Sequence, residues 1–187
     1  KDKTIKQLLD IGCATGHYYK TLKNHNLKIN KYIGLEINKD MIAAANTIWS
    51  EEINLGEVEF LYSDIEDQKP LPKNDLTICY NSFCYYKSAK YVLDKMLKAT
   101  SNIIIRSYFA DSNYRILRGQ SSKNNDNVNV DEMNIFNDKG SLISADFWTI
   151  YSFTYIENLV KSIKPKAKIS WINSKINNES LKEEKRL

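Results

Sequence analysis

Cysteine, proline, histidine and glycine are all scarce in this 187-residue chain, at three, three, two and six residues respectively. The three cysteines, Cys13, Cys79 and Cys84, are odd in number and form no C-x-x-C pair. With so little histidine beside them, a zinc site and a disulfide framework are both excluded, and a reduced, cytoplasmic protein without a metal is expected. Long apolar runs are missing too. None approaches the roughly 20 residues that span a bilayer, and the mean hydropathy of -0.49 agrees, so no membrane insertion is expected. Arginine occurs only at Arg106, Arg115, Arg118 and Arg186, and the net charge of +4 is mild. A nucleic-acid surface usually shows clustered arginine interleaved with aromatics. The nearest approach, Lys161, Lys164, Lys166 and Lys168, reads as a solvated helix end and strand start, and DNA is not an expected partner. The chain starts at Lys1 rather than Met, so further residues are expected upstream. Its length fits one domain over 1–187.

Short apolar runs alternate with helical patterns over the first hundred residues. That alternation predicts βαβ units and an α/β, doubly wound, mostly parallel sheet with helices on both faces. Leu8, Leu9 and Ile11 mark a first strand, followed by a helix over His17–Asn26. Tyr32–Ile37 reads as a second strand, and Asn38 is placed to cap a helix carrying Met41, Ile42, Ala45 and Ile48. Val58–Tyr62 and Leu76–Tyr80 are further strands, Ser88–Ala99 a helix, and Ile103–Ile105 a buried parallel strand. A core over about 4–109 results. The polar stretch from Ala110 to Gly140 is too long for a simple connection, and about 110–150 is expected to be a lid or substrate insertion. A closing helix and strand are expected over about 151–175. There Thr154 and Glu157 offer a capping box for a helix stopped by Pro165, and Lys168–Ile172 reads as a strand. The charged end, Glu179–Leu187, reads as a solvated helix or tail.

The informative segment is Leu9-Asp10-Ile11-Gly12-Cys13-Ala14-Thr15-Gly16, where the first strand hands over to the first helix. Gly12 and Gly16 bring backbone close to a ligand, because glycine carries no Cβ and permits positive φ. A dinucleotide fingerprint requires G-x-G-x-x-G to seat a pyrophosphate. This stretch reads G-x-A-x-G with an acid two residues ahead, and so disfavours a nicotinamide enzyme. A carboxylate at Asp10, or nearby carbonyls, suits an amino-acid ammonium instead.

These residues resemble motif I of the class I S-adenosylmethionine (SAM) dependent methyltransferases, with Ala14 in place of the more usual glycine. Three further marks follow in order. Glu36, in Tyr32-Ile33-Gly34-Leu35-Glu36-Ile37, matches the acid that grips both ribose hydroxyls. Ser63-Asp64-Ile65 matches the acid near the adenine amino group. Asn74-Asp75-Leu76 leads into the fourth strand, and Asn81-Ser82-Phe83-Cys84-Tyr85-Tyr86 matches the segment lining the methyl-transfer cleft. The resemblance covers about Thr4–Tyr108. It implies a Rossmann-like sheet of seven or six strands, SAM as cofactor, and a cofactor site at Asp10, Gly12, Cys13, Ala14, Gly16, Glu36, Ile37, Met41, Asp64, Ile65 and Asn81. Met41 and Ile65 are expected to pack on adenine. A branched side chain at Gly12 is expected to abolish binding and spare the fold.

For catalysis, His17 beside the glycine loop is the candidate base, Tyr86 a candidate cleft hydroxyl, and Arg106 a candidate fork for an anionic substrate. Tyr18, Tyr19 and Tyr85 are also expected near the cleft. Cys84 lacks the Pro-Cys context of cytosine methyltransferases, and the N-P-P-Y sequence of amino-group DNA and glutamine methyltransferases is missing. The expected acceptor is a small polar molecule, an oxygen of a sugar or phosphate-bearing metabolite. The pattern Ile104-Ile105-Arg106 with Ile150-Tyr151-Ser152 resembles compact methyltransferases of bacterial surface-glycan biosynthesis. A SAM-binding protein without activity, or a tRNA or protein methyltransferase, is the alternative.

Overall fold

The computed structural model describes residues 4–119 and 145–172. Five strands form the central sheet: β1 (Ile5–Ile11), β2 (Ile29–Glu36), β3 (Val58–Tyr62), β4 (Leu76–Tyr80) and β5 (Ile103–Arg106). Their order is β3-β2-β1-β4-β5, and every pairing is parallel. The chain direction across the sheet therefore reverses between β1 and β4, which opens a crevice above their carboxyl ends.

Helices α1 (His17–Asn24), α2 (Lys39–Ile48) and α3 (Ser50–Asn54) connect β1 to β2 and β2 to β3, and α4 (Ala89–Ala99) connects β4 to β5. The Asn38 side chain caps α2 as the sequence predicts, accepting from the amides of Asp40 and Met41 at 2.9 and 3.2 Å. Alternation along β1 and β2 splits the core in two. Leu8 and Tyr32 face a cluster with Tyr19, Ile42, Ala45, Phe60 and Ile78. Leu9, Ile11, Ile33 and Leu35 face one with Phe83, Val92, Leu93, Met96, Ile156 and Leu159.

The expected strand number is corrected by the structure. Among the described residues the expected six- or seven-stranded sheet has five strands, and β6 (Phe109–Ala110), β7 (Tyr114–Gly119) and β8 (Ala145–Ser152) form a separate three-stranded sheet in the order β6-β8-β7. The polar composition after Ala110 hides two of these strands, because Tyr114–Gly119 pairs antiparallel with Ala145–Ile150 and is held by that ladder rather than by an apolar pattern. Residues 120–144 of the expected lid, and the charged end at 179–187, lie outside the described residues. Two local expectations also change. Helix α5 (Phe153–Ile163) is capped by Ser152, whose hydroxyl accepts from the amide of Tyr155 at 3.1 Å, rather than by Thr154. Lys168–Ile172 is not a strand; Trp171 instead packs edge-on against Phe153 at 4.8 Å and Phe109 at 5.0 Å. No helix among the described residues is long and apolar enough to cross a membrane.

Candidate cofactor and active site

The glycine loop after β1 is built from left-handed turns. Gly12, Ala14 and Gly16 take φ of 72, 50 and 82°, a conformation natural for glycine and costly for alanine. The amides of Gly12 and Cys13 both donate to the carbonyl of Leu35, at 2.8 and 3.1 Å. The amide of Ala14 donates to Glu36, and Trp49 supports the loop from below by donating its indole N–H to the carbonyl of Thr15 at 2.9 Å.

Glu36 ends β2, facing the loop. Its Oε1 accepts from the amides of Ile37 and Asn38, both at 2.9 Å. Beyond β3, Asp64 Oδ1 accepts from the Glu66 amide at 2.8 Å and shapes a turn that leaves Ile65 buried beneath the crevice. Beyond β4, Asn81 is left-handed at φ 61° and reaches over α1, donating from Nδ2 to the Tyr18 hydroxyl at 3.3 Å. These ends surround a cavity of about 670 Å³, a volume within the range of small-molecule sites.

Most of the expected site residues meet there. Gly12, Cys13, Ala14, His17, Glu36, Ile37, Asp64, Ile65, Asn81, Tyr85 and Tyr86 all line the cavity. Five do not. Asp10 alternates with Leu9 and Ile11 along β1 and so points beneath α1, where it is fully buried and accepts from the Tyr32 hydroxyl. Gly16 packs against Trp49 and Phe60, where a Cβ would lie 2.6 and 2.7 Å from side-chain atoms. Met41 and Arg106 are exposed outside the lining, and Tyr19 is buried against Tyr32 and Trp49. Asp75 is structural, its carboxylate accepting from the Gln7 amide at 2.9 Å.

Ser82, which the sequence offered only as part of the cleft-lining segment, also has a structural role. Its hydroxyl donates to the carbonyl of Ile11 at 2.8 Å and lies 3.2 Å from Cys79 Sγ, so it ties the end of β4 to the end of β1. Tyr80, Lys87, Ser63 and Glu66 add to the polar lining: Ser63 stands in the Ser63-Asp64-Ile65 match, Tyr80 ends β4, and Glu66 and Lys87 lie in loops that no periodic signal marks.

Burial sets the protonation of the inner groups. It lifts Asp10 to about 7, opposed by the Tyr32 hydroxyl and reinforced by the charge of Glu36. Burial likewise pushes the Cys79 thiol up to about 12 and the Cys13 thiol higher still, so neither is a nucleophile. The Tyr86 phenol, raised well above its ordinary value by burial first and by Cys79 second, stays a hydroxyl and is no base.

The residues present fit a nucleoside that ends in an amino acid. A strand-end carboxylate suits the ribose, Ile65 and Asp64 the base, and a phosphate-free glycine loop the amino-acid tail. A parallel sheet with its cavity over the switch point and an acid at the end of the second strand defines a Rossmann-like nucleoside-binding domain. Residues 9–102, half of the chain, match a family model described as a methyltransferase domain, and the chain belongs to that family, whose cofactor is SAM.

Solved structures share the fold at low identity. The N-terminal domain of EvdMO1, with SAH bound, is 12% identical, with 85% of this chain and 64% of that chain covered and a TM-score of 0.59. The YcgJ protein from Bacillus subtilis is 13% identical over 88% of this chain and 63% of that one, with a TM-score of 0.53. The StiE O-MT is 17% identical over 58% and 39%, with a TM-score of 0.50. The chain thus spans less than two thirds of each of these chains. No curated protein sequence matches it.

Proposed function

We propose that this chain transfers the methyl group of SAM to an oxygen of a small polar acceptor, a sugar or phosphate-bearing metabolite. The carrying observation is the single cavity edge shared by Gly12–Ala14, Glu36, Asp64–Ile65 and Asn81, with His17, Tyr85, Tyr86 and Lys87 lining the same space. The family assignment and this lining support the reading together. Bound SAM supplies an electrophilic methyl on a sulfonium, and its transfer is an in-line displacement that depends mainly on alignment of the two partners.

The chain's own groups divide the remaining tasks. Glu36 takes the ribose, and Ile65 forms the wall for the adenine with Asp64 at its edge. His17, exposed at the start of α1 and lining the cavity, is placed to accept a proton from a hydroxyl acceptor. Tyr86 donates a hydrogen bond. Lys87 replaces Arg106 as the cation for an anionic acceptor, because Lys87 lines the cavity and Arg106 does not. Three buried, unbridged thiols suit a reducing cytoplasm. A place in bacterial surface-glycan modification extends the same reading, since hydroxyl-rich acceptors match this lining.

The test is calorimetry with SAH, followed by methyl-labelled SAM offered to nucleotide sugars, sugar phosphates, tRNA and peptides. Label in a sugar fraction is the expected result. Label only in tRNA or peptide overturns the acceptor class, and SAH binding with no labelled product from any pool assigns a non-catalytic SAM-binding protein instead.

A further inference from the structure

Helix α4 buries a lysine. Lys95 stands at 8% exposure among Val92, Leu93 and Met96, where the helix otherwise presents apolar side chains to the core. Lysine is almost never buried without partners; besides the Tyr91 ring, 5.5 Å away on the same helix, its hydrogen-bond and ion-pair partners all lie on one loop. Its Nζ donates to the carbonyl of Ile65 at 2.6 Å, to the carbonyl of Asp67 at 2.9 Å, and lies 3.4 Å from Asp67 Oδ1. An ammonium has three donors and no acceptor, so the whole hydrogen-bonding capacity of this side chain is directed at the segment between β3 and β4.

That segment contains no helix or strand from Ser63 to Asp75, and no ladder satisfies its carbonyls. Four other ties to the α4 region hold it: Tyr91 donates its hydroxyl to the Asp67 carbonyl at 2.6 Å, Glu66 accepts from the Ser88 amide at 3.0 Å, and at the far end Lys73 Nζ and the Asn74 amide donate to the carbonyls of Lys98 and Ala99 at 2.7 and 3.2 Å. None reaches Ile65. Lys95 alone among these ties grips the carbonyl of the residue whose side chain forms the cavity wall.

We propose that Lys95 is a positioning residue for the methyl donor: from beneath, it fixes the backbone at Ile65 and Asp67 and so sets the wall against which adenine rests. The inference rests on the reading of the cavity as a SAM site. Lys95 touches neither cofactor nor acceptor, so its effect falls on donor binding rather than on the transfer step.

Lys95→Met tests it, because the substitution removes the donors and keeps an unbranched apolar stem. Affinity for SAH, and for adenosine as the adenine-bearing half alone, is expected to fall by the same factor, roughly tenfold or more. KM for SAM rises while kcat at saturating SAM holds, and Lys95→Arg restores most of the affinity by returning a cationic donor. Parental SAH affinity in a folded Lys95→Met protein overturns the proposal, as does a loss for SAH without a loss for adenosine. If Lys95→Met does not fold, Lys95→Gln takes its place: a partial loss of both affinities supports the proposal and parental values overturn it. A parent protein that binds neither probe defeats the SAM reading itself. Hydrogen exchange at the Glu66 and Asp67 amides still judges the anchor in that case, acceleration in the variant supporting it and parental rates overturning it.

Discussion

The backbone amide of Ala14 donates to Oε2 of Glu36 at 3.0 Å, joining the glycine loop to the end of β2. Two more amides, of Ile37 and Asn38, occupy Oε1. A carboxylate offers about four acceptor sites, so one remains, on the oxygen nearest the loop. The sequence resemblance implies contact with both ribose hydroxyls; the geometry leaves a single acceptor site for them. Glu36 shapes the loop as well as facing the cavity.

Glu36→Ala is therefore expected to weaken SAH binding roughly ten- to hundredfold, the range for a lost charged hydrogen bond, and to lower Tm because the Ala14 amide loses its acceptor. Calorimetry and thermal unfolding read the two effects separately. Equal SAH affinity in variant and parent defeats the ribose assignment.

Ala14 holds φ of 50° without being a glycine. The left-handed region costs a non-glycine residue about 1 kcal/mol or more, partly offset by the greater chain entropy that glycine loses on folding. Ala14→Gly is expected to raise Tm by roughly 1–3 °C, in keeping with a gain below about 1 kcal/mol in a domain of this size. A lower Tm would show that the loop conformation is not strained.

At Gly12 the structure adds a stability cost to the expected loss of binding. A Cβ there would lie 2.5 Å from the Cβ of Ser82 and 2.6 Å from its Oγ, at a φ of 72°. Gly12→Val is expected to destabilise the protein by about 2 kcal/mol or more, through overpacking and backbone strain together. Denaturant titration of Gly12→Ala, Ser82→Gly and the double variant checks this. The double variant should lose less stability than the sum of the two single ones, and strict additivity would remove Ser82 from the explanation.

Asp10 predicts a pH dependence. Its folded value of about 7 lies above the ordinary 3.8, so between these values the folded state binds more protons than the unfolded state. Stability therefore falls as pH rises from about 4 to 7 and levels off above, by at most roughly 4 kcal/mol. Asp10→Asn keeps an acceptor for the Tyr32 hydroxyl and removes the ionisation. Urea unfolding across this range should show a flatter profile for the variant and greater stability than the parent at pH 8. Parallel profiles would place the titration elsewhere.

His17→Ala should lower kcat by roughly 10²–10⁴-fold if the imidazole is the general base, with SAH affinity near the parent's. A variant with parental kcat assigns proton removal to solvent and leaves His17 a lining residue.

Much of the cofactor side was legible before any coordinates. The apolar runs at Leu8–Ile11 and Tyr32–Ile37 encode buried parallel strands locally, whereas Ile103–Ile105, expected to be buried, forms the edge strand β5 and leaves Ile104 exposed. The acids following β2 and β3, Glu36 and Asp64, fall at the cavity because the carboxyl ends of parallel strands converge at the switch point. The resemblance thus implied that Gly12, Ala14, Glu36, Asp64 and Asn81 surround one space, and all five line the cavity. Asp10 shows the limit of that logic. Its position in the motif suggested a ligand contact, and the two-residue period of β1 turned its side chain beneath α1 towards Tyr32 instead.

What only the tertiary structure decided involves partners distant in sequence. Ser82 matters through Ile11 and Gly12, Trp49 through Thr15, and Lys95 through Ile65 and Asp67. None of these pairs leaves a local pattern, because each residue looks ordinary where it stands: a polar residue after a strand, an aromatic at a helix end, a lysine on a helix. The small sheet of β6, β7 and β8 was hidden for the same reason. Its strands follow or flank a polar stretch, and the pairing of Tyr114–Gly119 with Ala145–Ile150 exists only across the intervening chain. A local sequence can state that a segment is apolar and extended; which backbone satisfies its hydrogen bonds is settled by the fold.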